Sequence, residues 1–572
     1  MLPDGPGARS AEGLETRDAL DAIVVHPPDF SEDERSGPPL GACHVAESAR
    51  EKGFRVVVFD LNANSVVGQA KRVLRKGTSR EFSKLLASRL ALANRSPPVV
   101  GLSATAVNVE GSTLVASKLA DTFPASLLVA GGYCSLDPAP LFGAGVRVVV
   151  RGEGEAVFPR ILSVVLEGRA LQETLDGLAR LPGLLVKNLD GSISEGPPAR
   201  PLADLDAVPQ PRFSSLGVNL SDYGYEATGW VYAQRGCHNA CKFCDVSTFY
   251  GKRGVRSPSP GVVATWLRRL HEEEGVEFVQ FNDDNFLNHR GWLESLCERL
   301  DELEVPVKIN FQTRTPDVLR HREELERCKE RVYQVELGVE SFSQSQLDRW
   351  GKRVKVGQNL EALSLLSGLG IPHLAYFILG DAETTREELA ATLLQIPALP
   401  PVPVVPGGPT LPAVLCHVDF NFVLDVRGNS SVECVPWLRA VDEFLDGTAD
   451  LVESSSLAAA AIVQVVDAGS SAVDSRSNAD VGNLFRGFVD LASKLALERL
   501  ELALKVADAH VDGDGRGARR KVDRLVKSWK ENATRLLEAL RGLPGLELGL
   551  VPGRATTGLA RRRSRRGRLK WE

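Results

Sequence analysis

The chain has 572 residues, too many for one core; at roughly 150 residues per domain it holds three or four units. Hydrophobic residues make up 43% and charged residues 25%, an ordinary balance for a globular protein, and a net charge of −6 gives no overall reason to bind nucleic acid or an anionic membrane. No stretch approaches the ~20 apolar residues that cross a bilayer; the run at 457–466 is too short and contains Gln464.

Residues 1–20 lack a basic start followed by an apolar run. They read as a disordered leader rather than a secretion signal, so the cytoplasm is the expected compartment and its cysteines are expected to be reduced. From 21 to 165, short apolar runs alternate with amphipathic stretches. The runs are Ala22–His26, 55–60, Val99–Ser103, Leu127–Gly131 and 146–150, with helices expected at 41–52 and 111–121. Continuous apolar runs suit strands covered on both faces, so this part reads as a doubly wound α/β domain, flavodoxin-like or Rossmann-like. Residues 166–228 carry Gly-Pro punctuation and read as a linker with a hairpin near 188–194.

A second α/β series fills 229–426. Strands are expected at 230–234, 277–282, 307–313, 333–338, 373–380 and 416–425, and helices at Pro260–Glu274, 290–302, 360–369 and 385–394. This is fewer βα units than a closed barrel contains, so an open, partial barrel is expected. The proline-rich stretch 399–412 reads as a loop. Residues 427–572 form a helical C-terminal region, with helices at 435–445, 484–506 and 519–540. It ends in a basic tail, 561–572, read as a solvated terminus and not as a nucleic-acid arm.

Three of the nine cysteines, Cys237, Cys241 and Cys244, fall in the string AQRGCHNACKFCDVS. Their spacing supplies three thiolates from one loop, whereas a structural zinc takes four ligands. His238 inside the loop offers a fourth, so a zinc site, or a non-catalytic metal-binding scaffold, stays open on residue chemistry alone. Three thiolates on an iron–sulfur cubane leave one iron free for a chelating ligand.

With Phe243 before the last cysteine, the pattern Cys-x3-Cys-x-aromatic-Cys resembles the signature of the radical S-adenosylmethionine (radical SAM) superfamily, and the resemblance covers 229–426. It implies a partial (β/α)6 radical SAM barrel with a [4Fe–4S] cluster on Cys237, Cys241 and Cys244. It also implies that S-adenosylmethionine is cleaved to a 5′-deoxyadenosyl radical, with electrons from a donor such as flavodoxin or ferredoxin. By position, the resemblance assigns S-adenosylmethionine binding to several residues. Besides Phe243 these are Asn282, Asp283 and Asp284 in FNDDNF; Glu336, Glu340 and Ser341 in ELGVES; and Ile378 and Gly380 near the adenine. The first glycine of that last motif is replaced by Tyr376.

The N-terminal domain resembles that of the cobalamin-binding radical SAM enzymes of the class B methyltransferase type. The matching loops hold His26 and Pro27; Ser103 and Thr105; Gly131, Gly132 and Tyr133; and Gly152 and Glu153. These are the residues expected around cobalamin. The motif Asp-x-His-x-x-Gly does not follow the first strand. It occurs only as Asp508, His510 and Gly513 at the end of an expected helix, the wrong setting for it, so no lower cobalt ligand is assigned. The resemblance implies a methyltransferase acting on an unactivated carbon, or phosphorus, of a metabolite or peptide through methylcobalamin. The alternative is a rearrangement or cyclisation without methyl transfer. A methylthiotransferase needs three more N-terminal cysteines, and only Cys43 and Cys134 precede Cys237.

Overall fold

The computed structural model describes residues 20–28, 37–90, 96–104, 109–223, 227–250 and 254–403, apart from Leu379 and Ala382, with short stretches beyond. Thr105, the expected helix at 435–445, the 508–513 string and the basic tail lie outside the described residues. Helical residues are described at 498–507 and 523–531. The chain divides into two compact units: 1–30, 41–200 and 211–218 form one, and 31–40, 201–210 and 219–572 the other.

The first unit is built on β1 (Ala22–His26), β2 (Val56–Asp60), β3 (Val99–Ser103), β4 (Leu127–Gly131) and β5 (Val148–Val150), all parallel in the order 2-1-3-4-5. Each strand buries nearly every residue, because crossover helices such as Leu40–Arg50 and Val109–Thr122 cover both faces. The strand order reverses between β1 and β3. That is the switch point outside which such sheets hold ligands.

Within 166–228 the expected hairpin is present, preceded by a helix. Helix Leu171–Leu178 leads into β6 (Leu184–Lys187), which pairs antiparallel with β5, and β7 (Ile193–Glu195) closes a hairpin on it. Leu184, Leu185 and Val186 are buried, so these residues extend the first sheet.

The second unit holds a six-stranded sheet: β8 (Thr228–Val231), β9 (Phe278–Phe281), β10 (Lys308–Arg314), β11 (Val332–Glu340), β12 (His373–Ile378) and, after two short strands, β15 (Val418–Asn421). All pairings are parallel and neighbours follow chain order, as in an open (β/α)6 barrel. The proline-rich stretch is not wholly irregular: β13 (Val402–Pro403) and β14 (Thr410–Leu411) pair antiparallel. Helix Pro260–Glu274 shows how local chemistry sets an element. The Ser259 hydroxyl accepts from Val262 N–H, Pro260 fills the first turn, and Gly275 ends the helix at φ 68°.

One buried histidine makes the fold acid-sensitive. His373 at the start of β12 is fully buried, and burial lowers its pKa to about 4, although its hydrogen bond to the Ile371 carbonyl works the other way. Below the unfolded-state pKa of roughly 6.5 the unfolded chain takes up a proton that the folded chain refuses, so stability falls as pH drops from 6.5 to 4. The loss is about 2 kcal/mol by pH 5. A His373→Leu variant is expected to show a smaller fall in unfolding temperature between pH 7 and pH 5. Parallel curves for the two proteins exclude this cause.

Candidate functional site

The three cysteines occupy the loop that leaves β8, and two sets of residues pin that loop. The first comes from the end of β9. Asp283 is fully buried, and its two carboxylate oxygens accept from Ala233 N–H (2.8 Å) and Gln234 N–H (2.9 Å). Asp284 accepts from Gly236 N–H at 2.9 Å, and the Gln234 amide donates to the Phe286 carbonyl. Gly236 stands at φ 90°, and a Cβ there would lie 3.0 Å from the Gly254 carbonyl, so the turn into Cys237 requires glycine.

The second set follows β11. Lys242 N–H donates to the Trp350 carbonyl (2.8 Å), and the Phe243 ring meets Trp350 edge-on at 6.1 Å. Lys352 Nζ lies 5.7 Å from the Phe243 ring centre and 2.6 Å from Glu340 Oε1, a buried ion pair. Glu340 adopts φ 66°, and a Cβ on Gly338 would sit 2.6 Å from Glu340 Oε1 and 2.9 Å from Lys352 Nζ. The glycine of ELGVES therefore makes room for the pair.

Burial raises the pKa of the Cys241 thiol, while Lys352 and Arg314 pull it down; Cys244 is raised to about 11, again mainly by burial. Cys237 acts electrostatically on both, so the three thiols share one neighbourhood. Asn239 Nδ2 donates to Cys237 Sγ at 3.5 Å. Among the described residues no three His, Cys, Asp or Glu side chains are grouped for a single metal ion. Three neighbouring thiols on one loop, with two cations beside them, suit an anionic cluster spread over several irons. Thiols protonated by burial release their protons when a metal takes them.

The other strand-end candidates separate into two groups. Asn282, Asp284 and Glu340 lie at or near the same ends of β9 and β11, Glu336 lies mid-strand in β11, and Asp284 is raised to about pKa 6 by burial. Asp283 and Ser341 are employed otherwise. Asp283 holds the loop backbone, and the Ser341 hydroxyl is fully buried among Gln346 Oε1, Thr392 Oγ1 and Ser343 N–H. Both side chains are buried and committed to these bonds within the protein. Ile378 is buried, and Gly380 allows the tight turn to Thr384, whose Oγ1 would lie 2.5 Å from a Cβ. Glu336 Oε2 accepts from Tyr376 OH at 2.8 Å. Sequence reasoning missed Lys352, Trp350 and Arg314. Only the lysine and tryptophan lie close to a recognised motif, and nothing in their spacing marks them.

In the first unit, His26 and Ser103 face each other across the switch point, with His26 Nδ1 3.2 Å from the Ser103 carbonyl. Pro27 is buried beside them. The loop after β4 is stitched to the one after β3: Ala104 N–H donates to the Gly131 carbonyl and Cys134 N–H to the Ala104 carbonyl. Gly132 stands at φ 102°, where a Cβ would be 2.3 Å from the Ala104 carbonyl oxygen. Tyr133 opens a short 3-10 turn, and Gly152 and Glu153, half-buried, follow β5. Among the described residues, these strand ends present His26, Tyr133 and Glu153 half-exposed, beside glycines that pack closely on neighbouring backbone. Gly132→Ala is expected to destabilise this unit by about 2 kcal/mol or more, read as an earlier melting step.

Comparisons with known proteins agree with this architecture. The radical SAM superfamily description matches residues 231–396, and the B12 binding domain description matches residues 31–162. An uncharacterized methyltransferase of Pyrococcus horikoshii is 26% identical over 65% of this chain and 76% of its own length. The anaerobic magnesium-protoporphyrin IX monomethyl ester cyclase of Cereibacter sphaeroides is 29% identical over 52% of this chain, which spans only 48% of that enzyme. The hopanoid C-3 methylase of Methylococcus capsulatus is 29% identical, over 61% of this chain and 62% of its own. The solved structure of OxsB, a cobalamin-dependent S-adenosylmethionine radical enzyme with aqua-cobalamin bound, shares the fold. Its TM-score is 0.61 at 16% identity, over 92% of this chain and 81% of that one.

With a three-cysteine loop at the mouth of a (β/α)6 barrel and a doubly wound domain before it, this chain carries a radical SAM superfamily domain and a B12 binding domain, which imply a [4Fe–4S] cluster, S-adenosylmethionine and cobalamin as cofactors.

Proposed function

We propose that the chain is a cobalamin-dependent radical SAM methyltransferase that acts on an unactivated carbon, or phosphorus, of a metabolite or peptide. The observation that carries this reading is the presence in one chain of the pinned three-cysteine loop and of a parallel sheet whose strand order reverses at a switch point. When bound, the cofactors supply the electron, the adenosyl radical and the methyl group.

The protein's residues hold, orient and shield. Cys237, Cys241 and Cys244 would ligate the cluster, while Asp283 and Asp284 fix their loop. Arg314 and Lys352 offset its negative charge. Asn282, Asp284 and Glu340, with Phe243, Ile378 and Gly380, would surround S-adenosylmethionine. His26, Pro27, Ser103, Gly131, Gly132, Tyr133, Gly152 and Glu153 would border cobalamin. An external donor such as flavodoxin or ferredoxin would supply electrons. The seven described cysteines are all free thiols, consistent with work in the reducing cytoplasm. No helix among the described residues is long and apolar enough to cross a membrane.

The relatives named as methyltransferase and methylase favour methyl transfer over the alternative, a rearrangement or cyclisation without it. Turnover with S-adenosylmethionine carrying a deuterated methyl group separates them. The expected result is a product heavier by the labelled methyl. Substrate conversion and 5′-deoxyadenosine formation with no label in the product overturns methyl transfer and leaves a rearrangement or cyclisation.

A further inference from the structure

One buried side chain joins the cysteine loop to the turn that follows β12. Trp350 follows the helix Gln344–Arg349 and is only 3% exposed. It makes three contacts in different directions. Its carbonyl accepts from Lys242 N–H at 2.8 Å and its ring meets Phe243 edge-on at 6.1 Å, so it holds the cysteine loop twice. Its indole N–H donates to Asp381 Oδ2, in the residue directly after Gly380. Packing alone accounts for a buried ring but not for this polar bond. A phenylalanine would fill a similar space against Phe243, whereas a buried indole N–H needs an acceptor, and here it takes a charged one.

Asp381 is itself held in place. Arg349 donates to both of its oxygens, at 3.1 and 3.2 Å. The Thr384 hydroxyl donates to Asp381 Oδ1 at 2.9 Å and accepts from Asp381 N–H at 2.8 Å. The same Arg349 binds both oxygens of Glu388, at 2.8 and 2.9 Å, in the helix Arg386–Gln395. Gln346 extends the network to the end of β11: its amide donates to Thr384 Oγ1 at 3.1 Å, and its Oε1 accepts from the Ser341 hydroxyl at 2.6 Å. Residues 344–350 therefore tie the ends of β11 and β12 together, and Trp350 carries that frame on to the cysteine loop. Bidentate, charge-assisted bonds of this kind fix direction as well as distance.

We propose that Trp350 is a positioning residue: its indole bond to Asp381 sets the cysteine loop against the turn after β12, so that Phe243 on one side and Ile378 and Gly380 on the other stand ready before S-adenosylmethionine arrives. A ligand that meets two ordered loops does not have to order them, and its affinity rises accordingly. The identity of that ligand rests on the radical SAM reading of the barrel; the clamp between the loops stands on the geometry, and neither depends on methyl transfer.

The test compares Trp350→Phe with Glu388→Gln in the full chain. Phenylalanine keeps a ring against Phe243 and the backbone carbonyl, and removes the indole N–H. Glutamine weakens the hold of Arg349 on the neighbouring helix and leaves the Trp350–Asp381 bond in place. One readout is amide hydrogen exchange of the peptide containing Lys242, in protein without cofactors. The other is the dissociation constant of S-adenosylmethionine for the anaerobically reconstituted protein, by equilibrium dialysis without reductant. Trp350→Phe is expected to keep its iron, to exchange about tenfold faster in that peptide and to bind S-adenosylmethionine about tenfold more weakly, the weight of one hydrogen bond to a charged group. Glu388→Gln is expected to melt earlier, with both readouts near those of the parent. Parent-like exchange and affinity in Trp350→Phe overturn the proposal. Equal losses in Glu388→Gln overturn it too, since they would show general loosening rather than a clamp. Faster exchange in Trp350→Phe, with no S-adenosylmethionine bound even by the parent, supports the clamp and overturns the cofactor reading instead. Failure of methyl transfer would appear separately, as missing label in the product with both readouts as expected.

Discussion

Replacing any one of Cys237, Cys241 or Cys244 with alanine is expected to abolish the brown colour of the reconstituted protein and to reduce 5′-deoxyadenosine formation to background. The loop offers no spare ligand to take over. The His238 ring packs edge-on against His289 at 6.2 Å, and the Asp283 oxygens are both committed to backbone N–H groups. Asp284 is tied to Gly236 N–H. Two thiolates leave the cubane under-ligated, and metal affinity built from three ligands falls steeply when one is lost. The fold should survive, because the thiols contribute little to the core and the loop is held by β9 and by Trp350. The check is iron content, visible absorbance and 5′-deoxyadenosine after chemical reduction, with circular dichroism as the folding control. An alanine variant that keeps its iron and cleaves S-adenosylmethionine at the normal rate would sink the assignment of that cysteine.

The same loop shows how far the sequence can be read. The three cysteines stand out by spacing, because ligands delivered from one loop must be close in sequence; their reading as cluster ligands, and that of Phe243, rests on the resemblance. Helix Pro260–Glu274 is legible for a similar reason, since its cap, its first proline and its terminating glycine are all within the segment. Bracing by Asp283 is not legible: an acidic residue at a strand end looks like a ligand for a cofactor amine, and only its zero exposure and two backbone partners reveal that it holds the loop. Strand β6 is missed because Gly and Pro on either side mask a buried Leu-Leu-Val run, whose partner in β5 lies more than thirty residues earlier. The Glu340–Lys352 pair is invisible for the same reason of distance: its meaning depends on a glycine at 338, a left-handed glutamate and an aromatic ring from a loop a hundred residues away.

That pair carries the second large expectation. Lys352→Met removes the cation and leaves Glu340 buried, unpaired and beside the cluster loop. Side-chain exposures of 5% and 11% mean that water cannot compensate. Breaking a buried pair from one side costs about 3–5 kcal/mol, so the barrel unit should melt markedly earlier than in the parent. Adding Glu340→Gln to make the double variant removes the stranded charge, and most of the stability should return. The cluster should not recover to the same degree. Lys352 and Arg314 both lower the Cys241 thiol pKa, and losing Lys352 withdraws positive charge that favours adding an electron to an anionic centre. The double variant is therefore expected to fold like the parent while its cluster shows a more negative midpoint potential and slower reductive cleavage of S-adenosylmethionine. Melting curves that coincide for parent and Lys352→Met would mean that the ion pair does not form. A double variant with restored stability and an unchanged potential would confine Lys352 to a packing role and leave Arg314 as the cation that matters to the cluster.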